Sequence, residues 1–121
     1  MALANGRLTD NVVNVAAGST SDVVTCASNK NVYIKSVIVH NVSAATTARG
    51  HVYYIPNGGS VTPNTRLFNV RVEPLETVYI EPNYPITLTT TGDKVSVGST
   101  AHFGETSGPT LNVFMTGDKE A

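Results

Sequence analysis

Residues 31–55, NVYIKSVIVHNVSAATTARGHVYYI, decide the fold class. Val32 to Val42 is a long run of β-branched and aromatic residues, the kind that suits a pleated, half-buried surface. Ser43-Ala44-Ala45-Thr46-Thr47-Ala48 then offers nothing large to bury, and Arg49 to Ile55 resumes the strand pattern. Pro56-Asn57-Gly58-Gly59 closes it as a strong turn cluster. The stretch predicts two strands joined by a small-residue loop, in the manner of a hairpin. A hairpin alone is not stable, so further strands have to complete the sheet.

The first of these strands does not alternate cleanly. Val32, Ile34 and Ile38 share one parity, while Val37 and Val39 share the other. A one-residue slip moves every following side chain to the opposite face. Either both faces of the strand are buried or a bulge near Lys35-Ser36 shifts the register; the bulge is the favoured reading, leaving Ile34, Val37, Val39 and Asn41 facing inward.

Outward from this segment the same signal recurs. Asp22 to Ala27 reads as a strand, and Ser28 to Asn31 as the turn into the long one. In Arg66 to Val72 the apolar set Phe68, Val70 and Val72 should face the core. Glu73 to Glu76 is a turn, Thr77 to Ile80 a short strand, and Tyr84 to Thr91 carries Ile86 and Leu88 on one face. Gly92-Asp93 turns into Lys94 to Val97, His102 to Pro109 is a Gly/Ser loop, and Leu111 to Met115 is the last strand. Thr-Gly-Asp-Lys occurs at 91–94 and again at 116–119, and turn chemistry accounts for both. Short strands with turn signals about every 8–12 residues predict an all-β chain, an antiparallel β-sandwich of jelly-roll type. Residues 22–121 form that domain. Residues 1–21 are polar and glycine-dotted, and read as an extended N-terminal arm. Its one apolar patch, Val12-Val13-Asn14-Val15, suits strand addition at an exposed sheet edge, which makes Val12, Val13 and Val15 the candidate assembly contacts.

Composition agrees. The 121 residues hold 17 valines and 5 isoleucines against 6 leucines, with 16 threonines and no glutamine, a balance that favours strands. Only 14% are charged, and the net charge is −1 with no run of Lys or Arg, so the footprint of a nucleic-acid binder is missing. No apolar run approaches the ~20 residues of a membrane span. The N-terminal residues lack a basic region followed by an apolar one, the mark of a secretory signal. Cys26 stands alone, which suits assembly in a reducing cytoplasm.

Chemistry is hard to find. His40 and His51 would lie opposite one another if the chain turned near Ala45-Thr46, but a metal site needs three or four ligands. The simpler reading is two ordinary strand histidines. Carboxylates such as Asp22, Asp93, Glu73 and Glu81 fall at strand ends or turns and mark no catalytic pair. Cys26 resembles a small buried hydrophobe. Asn57-Gly58-Gly59-Ser60 lacks the lysine and helix of a phosphate loop, and Asn41-Val42-Ser43 matches the glycosylation pattern by chance. Tyr53, Tyr54, Tyr79 and Tyr84 are candidates for a sugar platform, yet Tyr53 and Tyr54 point to opposite faces. The expectation is a protein that is not an enzyme, with no cofactor and no metal.

Several of these segments also carry a family resemblance. Tyr33-Ile34-Lys35-Ser36-Val37-Ile38-Val39-His40-Asn41 is similar to the "I-K-S-I-x-V-x-N" strand of small β-sandwich virion proteins of tailed bacteriophages, many of them capsid decoration or cement proteins. Val52 to Gly59, Leu67, Glu73 to Thr77, Leu88 to Asp93 and Leu111 to Gly117 follow in that family's order. Together they span roughly a hundred residues, each motif weak alone. The chain departs at Ser28-Asn29-Lys30, where the family often has Pro-Ala-Gly, and at Leu75-Glu76, where it has Gly-Glu. The resemblance implies a homotrimeric virion protein made in the host bacterial cytoplasm. Its partner would be the major capsid protein on the outer surface of the head, with no nucleic acid and no membrane involved. The alternative it leaves open is a neck, tail or fibre accessory that binds a receptor or carbohydrate.

Overall fold

The computed structural model describes residues 3–9, 11–28, 30–101 and 109–120. Its strands are β1 (Leu3–Arg7), β2 (Val13–Val15), β3 (Thr20–Thr25), β4 (Val32–Asn41), β5 (Ala48–Ile55), β6 (Arg66–Val72), β7 (Thr77–Ile80), β8 (Ile86–Leu88), β9 (Lys94–Ala101) and β10 (Leu111–Glu120). A single 3₁₀ turn, Pro63–Thr65, precedes β6. Among the described residues no helix is long and apolar enough to cross a membrane.

Two antiparallel sheets result. In the first, β10 and β4 are central, with β1 and β2 along one edge and β7 and β8 along the other. The second runs β3-β9-β5-β6. The pairings nest: β5 with β6, β4 with β7 and β8, β3 with β9, and β1 and β2 with β10. That is one long hairpin folded over into two layers, the jelly-roll arrangement. The core lies between the sheets and is built of branched side chains, with Val15, Ile34, Val37, Val52, Val97 and Leu111 all fully buried.

Segment 31–55 is not a hairpin, for its two strands lie in different sheets. The reason is local. Asn41 ends β4 facing inward and fully buried, where its amide donates to the carbonyls of Thr46 (2.8 Å) and Val72 (3.0 Å). Its side-chain oxygen accepts from Ser43 N–H at 2.9 Å, and Ser43 Oγ in turn accepts from the N–H groups of Ala45 and Thr46. The small-residue loop is thus an arch that carries the chain across the ~10 Å between layers. With its side chain engaged inside, Asn41 is not a glycosylation acceptor.

The bulge stands where the parity break demands it. β10 pairs Thr116 with Ser36 and Gly117 with Ile34, which leaves Lys35 as the extra residue. Ile34, Val37, Val39 and Asn41 are all buried, while Lys35 is exposed and bridges to Asp118 at 2.7 Å. The second Thr-Gly-Asp-Lys is therefore strand opposite a bulge, not a turn. Only the first, with Gly92 at φ +95°, turns the chain. At Pro56–Gly59 the expected turn is present, closed by Gly59 N–H to the Pro56 carbonyl (2.8 Å), with Gly58 at φ +81°. Leu75 takes φ +59°, the left-handed conformation a glycine adopts easily, so the Glu73–Glu76 turn keeps its shape without one.

The N-terminal residues differ most from expectation. β1 and β2 both pair with the chain's own β10, and Thr20 already begins β3, so a boundary at 21/22 cuts a strand. Residues 102–108, most of the expected Gly/Ser loop, lie outside the described residues.

Candidate functional site

Alternation leaves one face of the first sheet toward solvent. From β4 it receives Ile38 and His40, from β10 Asn112 and Phe114, and from β7 Thr77 and Tyr79. Register sets them in rows. Phe114 stands opposite Ile38 and Ile38 opposite Tyr79, an apolar row across three strands. Val12, just before β2, extends that row, since Val13 pairs with Val113. The neighbouring row is polar, running Asn14, Asn112, His40 and Thr77. It is knitted by Asn14 Nδ2 to Asn112 Oδ1 (2.6 Å) and by His40 Nδ1 with Thr77 Oγ1 (2.9 Å). Between the rows lies a shallow groove of about 240 Å³, bordered by Val12, Ile38, His40, Thr77, Val113 and Phe114. Val12 and Tyr79 are 50% and 64% exposed, more than branched or aromatic side chains ordinarily are. Such a face can bury apolar surface against a second protein. His40 on this face meets the Thr77 hydroxyl and no carboxylate among the described residues.

The three candidate assembly residues separate here. Val12 is exposed on the row, Val13 is half-buried against the core, and Val15 is fully buried in it. Val15 thus fills a place in its own chain's core, so the three do not form one outward patch. The histidines separate too. His40 lies on the outer face of the first sheet, and His51 on that of the second, where its Nε2 meets Thr100 Oγ1 at 2.9 Å. They are not opposite one another, because their strands belong to different layers. His102 lies outside the described residues. Among the described residues no three of His, Cys, Asp and Glu cluster as a metal site would require.

Cys26 and Asp93 have structural roles. Cys26 is 1% exposed within the core, its Sγ 3.2 Å from the Lys30 carbonyl, and burial pushes the thiol pKa up, with Asp93 and Glu120 adding to it. The thiol should be inert to a disulfide reagent at pH 8 in the native protein and react fully once urea unfolds it. Rapid native-state labelling would contradict its place in the core.

Asp93 is a buried carboxylate that sequence reading placed only in a turn. It accepts from Asn57 N–H (2.9 Å), Thr90 N–H (3.1 Å) and the Tyr54 hydroxyl (3.3 Å). The Asn57 N–H does most to hold its carboxyl below the ordinary range, against the opposing effect of burial. The stability this contributes is complete above the ordinary carboxyl pKa of about 4 and is lost as pH falls through the lowered folded value. Melting temperature should therefore drop on acidification below about pH 4, and less so in Asp93→Asn. Equal pH dependence in the two proteins would remove Asp93 from the account.

Of the four tyrosines considered for a sugar platform, Tyr53 is buried and Tyr54 is tied to Asp93, while Tyr79 and Tyr84 are exposed. At one end of the sandwich an opening of about 420 Å³ lies between Leu8, Val24, Lys30, Val32 and Lys119.

No family model matches the chain, and no curated protein does. Solved structures do. A chain from the structure of infectious bursal disease virus, Gx strain, is 11% identical with a TM-score of 0.47 over 99% of this chain and 32% of that one. A chain from the T13 particle of the same virus gives 11%, 0.46, 98% and 35%. A chain of Bacillus endospore appendages, described as disulfide-linked pili, gives 13%, 0.44, 98% and 88%. The protein spans about a third of the length of the viral chains.

Proposed function

We propose that the protein is a structural component of a virion, a decoration (cement) protein of the tailed-phage type. It sits on the outside of the head as a homotrimer and ties neighbouring major capsid protein subunits together. The observation that carries this is the apolar row Val12, Phe114, Ile38 and Tyr79 beside its polar ladder, exposed at Val12 and Tyr79 and half-buried between them, a surface that can be buried against protein. The resemblance of the β4, β5 and β10 segments to phage virion proteins supports the same reading. A trimer matches local three-fold positions of an icosahedral shell. Clamping a seam requires buried area and no active site.

Light scattering on the purified protein should give three copies. The double variant Ile38→Lys, Tyr79→Lys should give one, and should fail to saturate capsids stripped of the protein. A wild-type monomer that ignores such capsids would end this reading. Copy number separates positions on the virion: hundreds indicate the head, a handful the neck or tail. The second reading, a carbohydrate- or receptor-binding accessory of neck, tail or fibre, draws on the exposed Tyr79 and Tyr84. A positive glycan array that Tyr84→Ala abolishes would favour it.

A further inference from the structure

The outer face of the second sheet has a different character. The chain holds four arginines, and three of them, Arg49, Arg66 and Arg71, lie on β5 and β6. Arg49 and Arg71 stand directly opposite each other across the ladder, and Arg66 stands opposite Tyr53. Like charges facing across a strand pair cost stability unless something offsets them. Among the described residues only Arg71 has such an offset, Glu73 at 2.8 Å from its Nε. Arg49 and Arg66 make no ion pair among the described residues.

His51 sits between them, opposite Asn69 and 8% exposed. With its Nε2 engaged by the Thr100 hydroxyl, its Nδ1 is a buried ring nitrogen without a partner among the described residues. Burial, then Arg66 and Arg49, depress its pKa. A protein of net charge −1 thus concentrates positive charge on one sheet face, unpaired at Arg49 and Arg66 among the described residues.

We infer that this face docks an acidic surface of another protein through carboxylates. It rests on the decoration reading only for the partner's identity, which would then be the capsid subunit. The spacing selects the chemistry. Arg49 and Tyr53 are four residues apart on β5, so the Arg49/Arg71 row and the Arg66 row lie ~13 Å apart along the strands. One phosphate does not span that distance, whereas two carboxylates four residues apart on one face of a strand, ~13 Å, do. Three arginines are also too few for a nucleic-acid backbone, which takes about six to ten phosphate contacts. Guanidinium forks pair with carboxylates in two-point hydrogen bonds, and no nonpolar surface would repay their desolvation.

The test uses the full chain and poly-L-glutamate as probe, with single-stranded DNA and inorganic phosphate as competitors. Wild type should bind poly-L-glutamate at low salt, lose it at high salt, and resist both competitors. Arg49→Ala, Arg66→Ala should bind at least about tenfold more weakly. If that variant melts early, Arg66→Ala alone, at an exposed position, should still weaken binding severalfold. No binding by wild type, displacement by DNA or phosphate, or unchanged binding in the variants would each overturn the inference. Stripped capsids then separate the two proposals. If wild type ignores capsids but keeps arginine-dependent binding to poly-L-glutamate, the decoration reading falls and this inference stands. If the double variant both coats capsids and binds poly-L-glutamate as wild type does, the decoration reading stands and this inference falls.

Discussion

Removing residues 1–16 should cost the protein its fold, not merely a partner. Val15 is fully buried, and Leu8 and Val13 pack partly buried against the same core. Their apolar burial sums to roughly 4 kcal/mol, about 2 for Val15 and 1 for each of the others. That is a large share of a total stability of about 5–15 kcal/mol. The truncation also strips both partners from one side of β10, since β1 covers Thr116 to Glu120 and β2 covers Leu111 to Val113. A ten-residue strand with an open edge invites intermolecular pairing. The expected result is a protein that aggregates on expression, or melts at least ~10 °C lower with visible light scattering. A truncated chain that melts within a few degrees of wild type and stays dispersed would show that these residues serve only as an arm.

How much of this was legible follows from the range of the forces involved. The bulge at Lys35 was readable because a parity break between Ile34 and Val37 has only two explanations, and one needs both faces buried. Strand positions were readable from Val and Thr runs, and turns from Pro56-Asn57-Gly58-Gly59 and Gly92-Asp93. Which strand pairs with which was not. Val32–Asn41 and Ala48–Ile55 look like a hairpin because the arch between them is made by Asn41 donating to Val72, 31 residues away. No local pattern carries that bond.

The N-terminal residues misled for a related reason. A three-residue strand at Val13–Val15 has too little periodicity to signal its own sheet, and its partner lies about a hundred residues on. The two outer faces were invisible for the same cause. Val12, Ile38, Tyr79 and Phe114 become a row, and Arg49 faces Arg71, only when β2, β4, β7 and β10, or β5 and β6, come into register.

Gly117→Ala should be among the most damaging single methyl groups that can be added to this chain. β4 and β10 are the central pair of the first sheet, and the bulge at Lys35 presses the β4 backbone onto Gly117. A Cβ at this position would fall on the Tyr33 carbonyl oxygen, with Lys35 N only 3.0 Å away. Both obstacles are backbone, so no rotamer relieves them and the two strands must part. Forced overpacking of this sort costs about 3 kcal/mol, or a fall of roughly 10 °C in melting temperature. Gly98→Ala is the matched control, because its nearest obstacle is the Thr20 hydroxyl at 2.9 Å, a side chain that can rotate away. It should cost about 1 kcal/mol. The mechanism also predicts a rescue. Deleting Lys35 places Ser36 next to Ile34, so inward Ile34 and Val37 then alternate with an outward serine and the bulge is no longer required. What the deletion removes is a bridge to Asp118 from a lysine that is 57% exposed, worth little in water. Gly117→Ala combined with that deletion should therefore melt well above Gly117→Ala alone. If the single variant melts within 2 °C of wild type, or the deletion deepens its loss, the bulge is not what demands a glycine at 117.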